Sequence, residues 1–127
     1  MYTIKQRDSI VDTLALERRD GTVEKINFNL RITPDIASKF RGEQLRLIEL
    51  QKQDANNPET IEKIGEVIVN IMDLIFGEDG RDKIITFFDG DYTAMMLDIF
   101  PYIQSVVIPA LQNQAAEMRK KFKRRKW

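Results

Sequence analysis

The sequence predicts an α+β fold that is mainly α: an N-terminal β-hairpin followed by a bundle of four to five helices, the last of them kinked. Three observations predict it. Residues 10–32 hold two alternating runs around Asp20-Gly21. Residues 34–118 carry apolar side chains at helical spacing behind two cap-like openings, Thr33-Pro34-Asp35 and Asn57-Pro58-Glu59. The strands all precede the helices, which argues against alternating βα units and a wound parallel sheet.

The hairpin comes first. Ile10, Leu14 and Leu16 share one parity, with Asp12 as the exception. After Asp20-Gly21, a favoured tight-turn pair, Ile26, Phe28, Leu30 and Ile32 alternate with Lys25, Asn27, Asn29 and Arg31. That is the period of a half-buried strand, with the polar parity facing water or another protein.

Helices follow. Thr33 is suited to capping, Pro34 to the first helical position and Asp35 to the positive end of the dipole. Ile36, Phe40, Leu47 and Leu50 form the inward face, and Gly42 is a candidate break. Residues 54–57 read as a polar loop. Asn57-Pro58-Glu59 then opens the most apolar helix, running to Phe76 with Gly77 as its C-cap. Its stripe is Ile61, Ile64, Ile68, Ile71, Met72 and Ile75, widened by Val67, Val69, Leu74 and Phe76. A short helix over 80–88 turns Ile84, Ile85, Phe87 and Phe88 inward. Asp89-Gly90-Asp91 breaks it, and Asp91 caps a last helical run to about Lys121, with Pro101 and Pro109 as kinks or restarts. The organisation is an arm (1–9), one domain (10–118) and a basic tail (119–127). The arm has no apolar signal-peptide core, so export is not expected.

Composition narrows the chemistry. The 127 residues include no Cys and no His. Disulfides, thiolate nucleophiles, Cys-based zinc sites, catalytic triads and imidazole ligands are therefore excluded. No Ser, Lys or carboxylate pair stands in a recognisable catalytic arrangement, so no enzyme and no cofactor is expected. The acidic stretches Glu78-Asp79-Gly80-Arg81-Asp82 and Asp89-Gly90-Asp91 lack the ligand spacing of a calcium loop and read as caps and turns, with no metal.

The net charge is zero, 20 cations against 20 acids, but it is unevenly spread. Residues 1–53 carry ten cations and eight acids (+2), residues 54–116 three and eleven (−8), and residues 117–127 seven and one (+6). The tail cations are Arg119, Lys120, Lys121, Lys123, Arg124, Arg125 and Lys126. With Phe122 and Trp127 they suit a phosphate backbone and a stacked base. Nothing else along the chain carries a nucleic-acid motif, so a solubilising end or a contact for an acidic partner is favoured over nucleic-acid binding.

Thirteen of the eighteen residues 94–111 are apolar. Asp98, Gln104, Ser105 and two prolines interrupt them, so a kinked core helix is expected there and no membrane span. Met95, Met96, Ile99, Phe100, Ile103, Val107 and Leu111 form an adaptable apolar stripe. Core packing is the plain reading for most of these residues, yet a body of this size is not expected to hide both this stripe and all faces of helix 58–76. These seven residues are therefore the candidate protein-binding surface, where Ile103→Asp or Val107→Asp is expected to weaken client binding or self-association.

The order of motifs resembles the tail assembly chaperones encoded in tail modules of siphophages and prophages of Gram-positive bacteria. The resemblance spans roughly residues 10–118. It rests on a short hairpin leading into Thr33-Pro34-Asp35 and on Leu74-Ile75-Phe76-Gly77-Glu78. It continues through Ile84-Ile85-Thr86-Phe87-Phe88 with its acidic break, and through Phe100-Pro101-Tyr102-Ile103 with Ile108-Pro109-Ala110-Leu111 beyond. The resemblance implies a non-enzymatic protein of the host cytoplasm. Such a protein binds the helical tape-measure protein and helps tail-tube subunits assemble around it, with a second copy of the chain as a further candidate partner. It also implies that a longer frameshifted product is to be sought near Lys120-Lys121, which a run of adenines can encode. The basic end maps to no motif of that family. Two alternatives remain: a small nucleic-acid-binding or regulatory protein using the tail, and a structural tail or connector subunit. Steeply salt-dependent DNA or RNA binding that disappears on removing 119–127 marks the first, and presence in finished particles marks the second.

Overall fold

A computed structural model describes residues 1–4, 9–54, 56–113 and 116. Strands β1 (Ser9–Glu17) and β2 (Val23–Arg31) form a two-stranded antiparallel sheet, with Ile10 opposite Leu30, Asp12 opposite Phe28 and Leu14 opposite Ile26. The connection is a three-residue loop with Gly21 in the left-handed region: Gly21 N–H donates to Arg18 O (2.9 Å) and Arg18 N–H to Thr22 O (2.8 Å). Asp20 fastens it, accepting from the Thr22 amide (2.9 Å) and hydroxyl (2.6 Å).

The Arg18–Thr22 bond sets the phase of the ladder. Antiparallel pairs alternate between bonded and non-bonded, so residues 16, 14, 12 and 10 turn their backbone groups toward β2. Residues 17, 15, 13, 11 and 9 turn theirs to the free edge. The same alternation splits the side chains. Leu16, Ile26, Phe28 and Leu30 are buried on the inner face, while Val11, Thr13, Ala15, Lys25, Asn27 and Asn29 are exposed on the outer one.

Among the described residues three helical elements follow, the second divided by a kink, where four to five helices are expected. Helix α1 (Pro34–Gln51) is capped by Thr33, whose hydroxyl accepts from the Ile36 amide (3.2 Å), and it runs unbroken through Gly42. It buries Phe40, Leu47 and Leu50. Helix α2 (Pro58–Phe87) is capped by Asn57, which accepts from the Glu59 amide (3.0 Å). Within it the two helices expected over 58–76 and 80–88 meet across a kink at Gly77 (φ 78°, ψ 176°), with no loop between them. Gly77 therefore ends the first of these helices, as expected, and the next starts directly after it. It inserts a single non-helical residue, a conformation that costs a residue with a side chain about 1–3 kcal/mol. Glu78–Asp82 is accordingly helical and not an acidic loop. Arg81 bridges the break, reaching Asp73 before it (3.2 Å) and Asp82 after it (3.1 Å).

The break lets α2 stay under the hairpin. Phe76, just before Gly77, packs edge-on against Phe28 with ring centroids 4.9 Å apart. Gly80, just after it, lies so close that a methyl there would stand 2.7 Å from Phe76 Cβ and 3.1 Å from Ile26 Cγ2. Within α2, Val67, Ile68, Ile71, Met72, Ile75 and Ile84 are buried, while Ile61, expected in the stripe, is exposed in the first turn. Asp89 and Gly90, both at positive φ, turn the chain, and Asp91 caps α3 (Tyr92–Tyr102) by accepting from the Ala94 amide (3.1 Å). A π turn follows over Ile103–Val107, and helix resumes to residue 113. One buried cluster draws on every element, from Leu16 to Leu111.

Gly77→Ala is expected to lower unfolding stability by about 1–3 kcal/mol, and Gly80→Val to lower it further by pushing α2 off the hairpin. Urea unfolding followed by circular dichroism measures both. An unchanged midpoint for either variant contradicts the packing described.

Candidate functional site

The seven-residue stripe sits on α3 and its continuation. Met95, Ile99, Ile103, Val107 and Leu111 are all buried, while Met96 and Phe100 are half-buried. The five buried members recur every four residues. In a regular α-helix a step of four overshoots one turn by about 40°, so such a stripe drifts around the helix. The π turn between Ile103 and Val107 is wider and rotates less per residue, which pulls the stripe back toward one face. Pro101 and Pro109 bracket that turn, and each withholds one ladder donor, so the ordinary i→i+4 pattern is already interrupted on both sides.

This placement corrects the expected surface. The stripe is the seam by which α3 and the π turn join the core, and a partner cannot reach Met95, Ile99, Ile103 or Val107 without opening the fold. Exposed apolar side chains lie elsewhere: Leu97 on the outer side of α3, and Leu45 and Ile48 one turn apart on α1. The run 92–113 is long and apolar enough to cross a membrane (mean hydropathy 1.5). Its outer side, however, carries Asp98, Gln104, Ser105 and Gln112, which gives it one wet face and one packed face.

A cleft of about 540 Å³ lies open between α1 and the helical run that ends the described residues at 113. Ala37, Phe40, Ile108 and Leu111 supply its apolar lining, and Ser38, Arg41, Gln44 and Gln112 its polar rim. Leu111 is thus the stripe residue that lines this cleft. Ile108, Ala37 and Phe40 are the lining residues absent from the expected surface. Their signal is in the sequence, as i,i+3 pairs on two helices (37/40 and 108/111), but which helices face each other is a tertiary fact.

A second cluster ties the two ends of the fold together. Asp12, the odd polar residue on the inner parity of β1, accepts from the Tyr102 hydroxyl (2.8 Å) with one carboxylate oxygen and from the Thr13 amide (2.8 Å) with the other. The Tyr102 ring lies edge-on to Phe28, with centroids 6.2 Å apart. The hydrogen bond from Tyr102, helped by the Thr13 amide, holds the Asp12 carboxyl below its usual range. Burial first, and then Asp12, push the Tyr102 phenol up to about 12.

Among the described residues no group of three acidic side chains converges on a metal position. Arg119, Lys120, Lys121, Lys123, Arg124, Arg125 and Lys126 lie outside the described residues. No family model matches the sequence, and neither a curated protein nor a solved structure matches the chain.

Two outcomes are expected. Val107→Asp should lose on the order of 4 kcal/mol of stability, because it buries an unpaired charge. A variant that melts with the parent would return the stripe to the surface. Tyr102 favours its neutral form when folded, so its contribution is complete below pH 10, its ordinary value, and is lost as pH rises toward about 12. Asp12 contributes above the usual carboxylate range and loses that contribution as pH falls through its lowered value. Tyr102→Phe should therefore flatten the alkaline arm of a stability–pH curve and, by removing the donor that lowers the Asp12 carboxyl, flatten the acid arm as well.

Proposed function

We propose that this chain is a non-enzymatic phage tail assembly chaperone that binds the tape-measure protein and promotes tail-tube assembly in the host cytoplasm. The observation that carries the reading is the ordered series of motifs over residues 10–118, from the hairpin through Thr33-Pro34-Asp35 to Ile108-Pro109-Ala110-Leu111. The cleft between α1 and the end of the helical run supports it and gives it a location. A tape-measure protein is a long helical chain whose apolar faces aggregate until tube subunits enclose them. An amphipathic client helix laid in the cleft would cover Phe40, Ile108 and Leu111 with its apolar face and leave Arg41, Gln44 and Gln112 to its polar flanks. Shallow grooves on several copies along one client give total affinity by multivalency, while each contact stays weak enough for a tube subunit to displace.

The test is co-expression with the tape-measure protein. The parent chain should keep the client soluble and co-purify with it. Ser38→Trp, at an exposed rim position, should fill the cleft without touching the core and abolish both effects. Leu97→Ser on the outer side of α3 should change neither. A parent that forms no complex removes the chaperone reading. A Ser38→Trp variant as effective as the parent removes the cleft as its site.

A further inference from the structure

The outer edge of β1 is the least guarded part of the fold. A sheet of two strands has two free edges, and each offers unpaired backbone groups to another strand. The edge of β2 carries Lys25 and Arg31, and charged side chains of that kind deter pairing. Strand β1 (SIVDTLALE) has neither Lys nor Pro, and of its outward side chains only the terminal Glu17 is charged, while Val11, Thr13 and Ala15 along its middle are not. Val11 is 73% exposed.

The edge is also self-complementary. The ladder phase fixed by Arg18–Thr22 turns the backbone groups of residues 9, 11, 13, 15 and 17 outward. Antiparallel pairing about Thr13 with a second copy would set Val11 against Ala15 of that copy and Ser9 against Glu17, with no like charges opposed. The central donor of that register is the Thr13 N–H, and it is already taken. Asp12 Oδ1 accepts it at 2.8 Å, while Oδ2 is held at 2.8 Å by Tyr102 from the C-terminal end of α3. In the paired register the Asp12 side chain would also face Leu14 of the second copy.

We propose that the free edge of β1 is a latent association surface for a second copy of this chain, held closed by Asp12, whose carboxylate occupies the Thr13 N–H that strand pairing requires. Tyr102 is the positioning residue of this guard. It keeps the carboxylate turned to the edge and links closure of the edge to docking of α3. The inference needs no client and stands apart from the chaperone reading.

Sedimentation of the full chain tests it. The parent should run as a 14.9 kDa monomer at concentrations where Asp12→Ala forms dimers. The apparent dimer dissociation constant should fall about tenfold or more once the guard and its charge are gone. Adding Ala15→Pro to Asp12→Ala removes an outward N–H without touching the bonds to β2, and should restore the monomer. The proposal is overturned by an Asp12→Ala variant that folds and stays as monomeric as the parent, or by a double variant that dimerises as strongly as the single one. Amide exchange in the parent gives an independent reading that needs no variant. Thr13 should exchange more slowly than its edge neighbours Val11 and Ala15, and equal rates at the three amides would show that no guard is present.

Discussion

The inner face of the hairpin must be covered, and the rest of the fold follows from how that is done. Two strands in water are marginal alone, since their apolar face has nothing to bury against. Here Leu16, Ile26, Phe28 and Leu30 need a surface that follows a twisted ribbon nine residues long. A straight 30-residue helix would leave the ribbon after a few turns. Gly77 interrupts α2 opposite Phe28, and Gly80 removes the side chain that would hold α2 off Ile26. Arg81 then joins carboxylates from both sides of the interruption, at a surface position where such pairs contribute little, so the break is maintained by packing more than by charge.

With α2 committed to the hairpin, α3 must close the remaining side of the core with a stripe of fixed period. The spacing of four is a compromise between two neighbours. Tyr102 has to stand beside Phe28 and Asp12 at the hairpin, while Leu111 has to reach α1. A regular α-helix between them would rotate one of these out of register. The π turn absorbs the difference, and the bracketing prolines lower the cost of leaving the α ladder there.

The local features of this fold were legible because they are written in neighbouring residues. Alternation from Ile26 to Ile32 marks β2, and Thr33, Asn57 and Asp91 each accept the amide that a capping residue should. Gly77 was legible as a helix end, but the kink was not. A glycine before a loop and a glycine at a kink leave the same trace, and only the hairpin lying across it decides between them. The stripe residues were legible as a kinked core helix, but not as a seam buried continuously from Met95 to Leu111, because that continuity depends on the π turn between Ile103 and Val107. Asp12 looked like an error in the alternation. Its partner Tyr102 is 90 residues away, and no periodicity reaches that far.

The division of charge bears on how a client could be held. The exposed acids of the middle segment run along α2: Glu59, Glu62, Glu66, Asp73, Glu78, Asp79 and Asp82. That side of the molecule repels acidic partners and is poorly suited to a groove. None of these acids lines the cleft, and among the described residues lining it Arg41 alone is charged. A helix seated there would be held mainly by apolar area, a term that salt does not screen, whereas contacts made by the +6 tail would be screened strongly. The two modes are thus separable in one titration. Client binding that persists at high salt belongs to the cleft, and binding that falls away steeply belongs to the tail, so the ionic strength at which a complex dissociates reports which end of this neutral chain does the holding.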